Sequence, residues 1–272
     1  MITASIVTYK TSDTDLRKVL TCVCRSVVST IYIVDNSPTD RLKNFEIISP
    51  KIKYIFGQGN VGYGSAHNIA IRMSIDSGSK YHIVINPDIY FEDGTLERLS
   101  KYMEDNADVG QVMPKVIYPD GSIQYLCKMI PTPADLLFKR FIPSKITQKR
   151  LVKFQLRFTS YNEPMNVPYL SGCFMFFRIA ALNKIGLFDE RFFMYPEDID
   201  MTRRMHRCYK TMFYPEITIV HDHAAASYKD NRMLKIHIVN MIKYFNKWGW
   251  LFDAERRETN RKLLLELNYK KK

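Results

Sequence analysis

The chain is short of most features that would place it in a specialised class. Its 272 residues include only 11 Gly and 12 Pro, too few for a collagen-like repeat or a low-complexity linker. No apolar run approaches the ~20 residues needed to cross a bilayer; the longest are of the size of IVTY, IYIV and CFMFF. The opening MITASIVTYK has no basic stretch followed by a long apolar one, so no secretory signal is expected. The five cysteines (Cys22, Cys24, Cys127, Cys173, Cys208) are odd in number and form no CxxC pair. That argues against a disulfide framework or a structural zinc site, and for unpaired thiols in a reducing cytoplasm. No zinc-finger or RRM signature is present, so no nucleic-acid partner is expected.

What is present is an ordinary globular composition, 46% hydrophobic and 25% charged. The net charge of +12 is distributed unevenly. Residues Lys139 to Arg157 carry seven basic side chains and no acidic one, and Lys229 to Lys272 carry twelve basic and five acidic. Such patches suit anionic lipid or phosphorylated substrates, or are simply solvated surface.

The first 120 residues alternate short apolar runs (ASIVTY, IYIVDN, IKYIF, YHIVINPD) with helical patterns at about Asp13 to Val28, Ser65 to Ser77 and Gly94 to Asp105. Continuous apolar runs suit strands buried on both faces, hence an α/β fold with a mostly parallel sheet. Polar residues end these runs: Thr8, Asp35, Asn36, Asn86 and Asp88. Ligands of open α/β sheets bind at that end. IYPDGSIQYL reads as a hairpin turning at Asp120-Gly121. Residues 131–163 are basic and proline-interrupted, and fit either an excursion over the site or short surface helices. From Asp230 onward the pattern is helical.

Four clusters carry candidate chemistry. Gly57-Gln58-Gly59-Asn60-Val61-Gly62 is a literal GxGxxG. It fits a dinucleotide loop, a loop for another ligand, or a tight turn. Two strands precede it and polar Ser65, His67 and Asn68 follow, which favours another ligand over a nicotinamide. Asn86-Pro87-Asp88 places one carboxylate at a strand end, as a ligand for a hard cation or as a helix cap. Glu197-Asp198-Ile199-Asp200 puts three carboxylates at a helix start after an aromatic run, fitting either a dipole-matched terminus or a general base. His221-Asp222-His223 sets two imidazoles on one face of a strand, as metal ligands or as a surface pair.

Taken in order, VTYK, VDN, GNVGYGSAHN, NPD, YLSGCFMF, GLFDERFFMYPEDIDMTRR and IVHDHAAAS resemble the family 2 inverting glycosyltransferases of GT-A fold, within them the bacterial rhamnosyltransferase-like branch, over about residues 2–230. The resemblance implies a GT-A domain over 1–228. Its 1–120 half would bind the nucleotide-sugar and its 121–228 half the acceptor and catalytic groups, with a basic amphipathic helical extension over 229–272. Thr8, Asp35 and Asn36 would meet the nucleoside. Asn60, Gly62 and Asn68 would bound the donor pocket, with Asn86 nearby in place of the first acid of the family's Asp-x-Asp motif. Asp88 and His221 would hold a Mg²⁺ or Mn²⁺ ion, with His223 the alternative ligand or a sugar contact. Asp198 would be the base, supported by Glu197; Gly172 and Asp200 would lie at the acceptor or sugar. No Ser-His-Asp or Cys-His nucleophile is evident, which agrees with direct displacement. The implied donor is dTDP-L-rhamnose, with UDP-galactose, UDP-GlcNAc and UDP-galactofuranose as rivals. The implied acceptor is a glycan, free or on a polyprenyl pyrophosphate. It would be met in the cytoplasm by a peripheral enzyme at the inner membrane face, where Trp248, Trp250 and the basic patches suit anionic lipid. A non-catalytic sugar-nucleotide or glycan-binding module is the alternative of another class.

Overall fold

A computed structural model describes residues 1–136, 144–222 and 231–269. The elements run β1 (Ile2–Thr8), α1 (Asp13–Arg25), β2 (Thr30–Asp35), a 3₁₀ segment (Arg41–Ile48), β3 (Ile52–Ile55), α2 (Tyr63–Asp76), β4 (Tyr81–Ile85), β5 (Ile89–Tyr90), α3 (Thr95–Asp105) and β6 (Val109–Ile117). They continue through β7 (Cys127–Lys128), α4 (Pro133–Leu136), α5 (Ser144–Phe154), β8 (Met165–Asn166), β9 (Tyr169–Leu170), β10 (Phe174–Arg178) and α6 (Ile179–Ile185). The last are α7 (Glu197–His206), β11 (Lys210–His221), α8 (Asn231–Trp248) and α9 (Ala254–Glu266).

The main sheet has the order β3-β2-β1-β4-β10-β6-β11-β5, with β8 pairing on β11. Strands β3, β2, β1 and β4 are parallel, as their fully apolar runs suggest. Beyond β4 the sheet is mixed, with β6 and β11 parallel. Strand β10 pairs antiparallel with both β4 and β6. Its sequence FMFFR is as continuously buried as a parallel strand, and burial on both faces does not encode direction. The hairpin expected at Asp120-Gly121 reduces to one bridge, Ile117 to Ile123, around a tight turn. Gln124 N still donates to Val116 O across it, and the Gln124 side chain reaches His221.

Helix α1 starts at Ser12, whose hydroxyl accepts from Asp15 N, and buries Leu16, Val19, Leu20 and Val23 on the sheet. The C-terminal helices share the protein's interior. Tyr244 and Phe245 of α8 pack with Phe192 and Ile199, and Leu263 of α9 joins the main core. All five cysteines are free.

Candidate active site

Parallel strands β1, β2 and β4 end on one edge, and the first part of the site lies there. Asp35 is fully buried at the end of β2. Its Oδ1 accepts from Thr8 Oγ1 at 2.9 Å and Ser37 N at 3.0 Å, and its Oδ2 from Tyr54 OH at 2.7 Å. Thr8 thus orients Asp35, and Asp35 orders the turn after β2. That turn forms one wall of a cleft of about 320 Å³ lined by Lys10, Asp35, Ser37, Thr39 and Arg41 among others. Lys10 ends the VTYK motif and Arg41 opens the 3₁₀ segment, where it pairs with Asp13; sequence singled out neither as a cleft residue.

The Gly-rich loop is a structural joint. Gly62 has φ of +90°, and a Cβ there would stand 2.3 Å from Phe193 O, so only glycine fits. Tyr63 N donates to the same carbonyl, and Asn36 Nδ2 donates to Gly62 O. Asn60 is exposed, with Oδ1 3.3 Å from Gly62 N. Two polar residues that follow this loop turn into the protein. His67 is buried, its Nδ1 2.7 Å from Ser5 Oγ. Asn68 is buried and spends its amide on Phe188 N, Phe188 O and Glu190 Oε1, leaving nothing for a nucleotide. Its amide instead latches α2 to the segment that leads into α7.

Asp88 and His221 are brought together by strand pairing. Strand β5 runs antiparallel to β11 with Ile89 opposite His221, and Asp222 N donates to Asp88 O at 2.9 Å. His221 Nε2 lies 3.2 Å from Asp88 Oδ1. Gln124 sets the imidazole. Its Nε2 donates to His221 O at 2.7 Å, which turns its Oε1 toward His221 Nδ1 at 2.9 Å. The proton on that side therefore belongs to Nδ1, and Nε2 faces Asp88. Burial lowers the His221 pKa, but Cys173 and Asp88 outweigh it and hold it up at about 10. Two cis ligands of an octahedral cation at ~2.1 Å stand about 3 Å apart, so this oxygen–nitrogen pair fits Mg²⁺ or Mn²⁺. Among the described residues no group of three or more His, Cys, Asp or Glu side chains is placed to hold a metal ion. His223 lies outside the described residues.

Helix α7 follows Pro196, and Tyr195 before it holds a strained φ of +94°. Acidic residues suit this positive helix end. Asp198 Oδ2 accepts from Gly172 N at 2.9 Å and Oδ1 from Ile199 N at 2.8 Å. A Cβ on Gly172 would meet Asp198 Cβ at 3.0 Å, so that glycine admits the carboxylate. Gly172 O lies 2.7 Å from Tyr63 OH, which lies 2.9 Å from Asn86 Oδ1. Asp198 and the Asp88–His221 pair therefore belong to one chain of contacts through Gly172, Tyr63 and Asn86. Lys128, bonded to Ser171 Oγ at 2.9 Å, also faces this region.

Asp200 differs from its neighbours. It is fully buried, bonded to Arg204 Nε and Trp248 Nε1 at 2.8 Å each and paired with Lys247 at 2.5 Å. It anchors α8 to α7 and offers no exposed atom to a sugar, which corrects that part of the expectation.

Burial raises both Glu197 and Asp198 above the ordinary carboxylate range, and Asp198 raises Glu197 further. Asp198 is the better anion. Two backbone N–H groups meet it and Lys128 opposes the rise, whereas Glu197 Oε2 is buried with no hydrogen-bond partner among the described residues. A carboxyl that binds its proton more tightly folded than unfolded favours the fold at low pH, and that contribution is lost as pH rises through its folded pKa. Glu197→Gln is therefore expected to stabilise the protein at pH 8 by about 1–2 kcal/mol, roughly 2–8 °C in Tm, and far less at pH 5. Thermal unfolding of both proteins at the two pH values checks this.

Residues 4–186 match the model of glycosyl transferase family 2. The chain belongs to that family. It is 26% identical over 221 residues to the N-acetylglucosaminyl-diphospho-decaprenol L-rhamnosyltransferase of Mycobacterium tuberculosis, covering 74% of this chain and 68% of that one. It is 26% identical over 205 residues to the low-salt glycan biosynthesis hexosyltransferase Agl10 of Haloferax volcanii, covering 74% and 60%. Its fold is shared by the mannosyltransferase PcManGT of Pyrobaculum calidifontis, solved with GDP-Man and Mn²⁺, at a TM-score of 0.57 and 14% identity over 100% of this chain and 76% of that one. This family 2 glycosyltransferase thus has the GT-A architecture, with a C-terminal helical pair packed against it. The family match stops at residue 186, short of α7 and of Asp198.

Proposed function

We propose that this glycosyltransferase transfers a hexosyl group, in the first instance L-rhamnosyl from dTDP-L-rhamnose, to a glycan carried on a lipid pyrophosphate, with inversion at the anomeric carbon. The observation that supports it best is the short bonded chain from Asp198 through Gly172, Tyr63 and Asn86 to the Asp88–His221 region. It sets a candidate base beside a candidate holder of the leaving group. Asp198 takes the proton of the acceptor hydroxyl as its oxygen bonds to the anomeric carbon. The bond from that carbon to the phosphate oxygen breaks, and its electron pair leaves with the nucleoside diphosphate. Asp88 and His221 would hold a Mg²⁺ or Mn²⁺ ion, which when bound neutralises charge on the pyrophosphate. The cleft at Lys10, Asp35 and Arg41 is the proposed nucleoside end of the donor site. Among the described residues no helix is long and apolar enough to cross a membrane, so a lipid-borne acceptor would be met from the membrane surface.

Thermal shift with nucleotides tests the reading. A ligand that binds only the folded state raises Tm. dTDP and dTDP-rhamnose are expected to do so with Mn²⁺ or Mg²⁺ and not with EDTA. A larger shift from UDP compounds would replace the donor and keep the mechanism; a shift from NAD alone would overturn the transferase reading. Asp88→Ala is expected to weaken the metal-dependent shift by about 10–100-fold in metal affinity. An unchanged metal titration removes Asp88 as a ligand.

A further inference from the structure

Helix α8 is apolar on two faces. Met241, Tyr244 and Phe245 are buried against the core. Flanking that face, Ile238, Val239 and Ile242 are exposed, and the same line continues to Asn246. Asn246 Oδ1 accepts from Trp250 Nε1 at 2.8 Å. Trp250 opens the turn between α8 and α9, where Leu251 is 70% exposed and Phe252 88%. The result is an exposed apolar strip that ends in a protruding tip. Large contiguous apolar surface on a folded protein marks an interaction site.

The rim of this strip is basic. Lys235 and Lys243 are exposed on α8 beside Ile238, Val239 and Ile242. The Arg257 guanidinium lies 6.0 Å from the Phe252 ring, and its Nη2 donates to Leu251 O. Lys243 also lines a cleft of about 360 Å³ with Arg191, Asn246 and Lys247. The nearby acids are already engaged. Asp189 is held by Arg191 and Lys247, Asp253 and Glu255 by Arg203, and Glu258 by Arg261.

We propose that this strip docks on an anionic lipid bilayer. Trp250, Leu251 and Phe252 would enter the headgroup boundary, and Lys235, Lys243 and Arg257 would meet lipid phosphates. A two-fold contact with a second copy would oppose the same cations, so charge favours the bilayer. The proposal rests on the lipid-borne acceptor reading only for its purpose. Trp248 and Asp253 bracket the tip, and both are bonded to α7, through Asp200 and Arg203. The docked tip and the helix bearing Asp198 therefore move as one unit.

The test is co-sedimentation of the full chain with vesicles of phosphatidylglycerol and phosphatidylcholine, against phosphatidylcholine alone, at low and high salt. The chain is expected to pellet with the anionic vesicles at low salt. The double variant Leu251→Ser/Phe252→Ser should lose at least about tenfold in partitioning, with an unchanged Tm, since both side chains are exposed. Equal pelleting of variant and parent, equal binding to phosphatidylcholine alone, or a dimer that the double variant dissolves would each overturn the proposal. A chain that transfers sugar to a water-soluble acceptor but never pellets loses the docking surface and keeps the transferase reading. One that pellets but shows no nucleotide shift does the reverse.

Discussion

Replacing Asp198 with asparagine is expected to lower kcat by about 10²–10⁴-fold, the range for loss of a general base, while changing donor affinity little. The size of the effect follows from where the carboxylate sits. Both of its oxygens already accept backbone N–H groups, from Gly172 and Ile199, so its position is set by the main chain and asparagine inherits it. The catalytic property lost is basicity. Stability should change little, because two effects oppose. The asparagine NH₂ must face one of the two N–H donors, which costs about one hydrogen bond. Removal of a buried charge beside Glu197 offsets that. The parent enzyme should show the same carboxylate in its pH profile. The base must be ionised, and burial raises its pKa, so kcat should fall with acid at a pH well above the ~4 of an ordinary aspartate. Steady-state kinetics across pH with both proteins, plus nucleotide-sugar binding to the variant, check these outcomes. Retained transfer by Asp198→Asn would remove it as the base.

Arg203→Ala is expected to cost about 3–5 kcal/mol, the usual result of stranding one partner of a buried ion pair. For a chain of this size that is roughly 6–20 °C in Tm. The Arg203 guanidinium is almost fully buried, with Nη1 and Nη2 on the two oxygens of Asp253 at 2.8 and 2.7 Å, and Nη2 on Glu255 at 2.6 Å. Its plane lies 4.0 Å from the Trp248 ring centroid. Asp253 is also the N-cap of α9, accepting from Arg256 N, so its charge stays where the helix begins, left with only the longer Arg256 pair at 3.7 Å. Arg203→Ala/Asp253→Ala should recover part of the loss, because the two sites couple. Arg207→Ala is the contrast. Arg207 meets the same Glu255 but is half exposed, and should cost under about 1 kcal/mol. Equal losses at the two arginines would mean that burial does not govern this pair.

The candidate site residues that sequence singled out and the fold brings together share one property: each is a short motif attached to its own strand or helix. Asp88 and His221 end apolar runs, and β5 on β11 is enough to join them. Asp198 stands in the first turn of a helix whose acidic start was plain. What could not be read depends on partners far along the chain. Asn68 looked like a ligand contact because it follows a Gly-rich turn, but its amide answers Phe188, 120 residues away. Asp200 shared a motif with the candidate base, and only Trp248 and Lys247, on another helix, show it to be an anchor. Gln124 belongs to no motif; its role rests on one carbonyl and one ring nitrogen of His221. The antiparallel course of β10 was hidden for a related reason, since apolar runs report burial and not direction.

The Arg203–Asp253 pair also has a consequence during synthesis. The two residues are 50 positions apart in the chain. At translation rates of ~5–20 residues per second, the arginine precedes its partner by several seconds. During that interval β1 to β4 and their helices can already pack, but the last part of the chain has yet to close on α7. The cleft proposed for the nucleoside would therefore be made before α9 closes on the helix that bears Asp198.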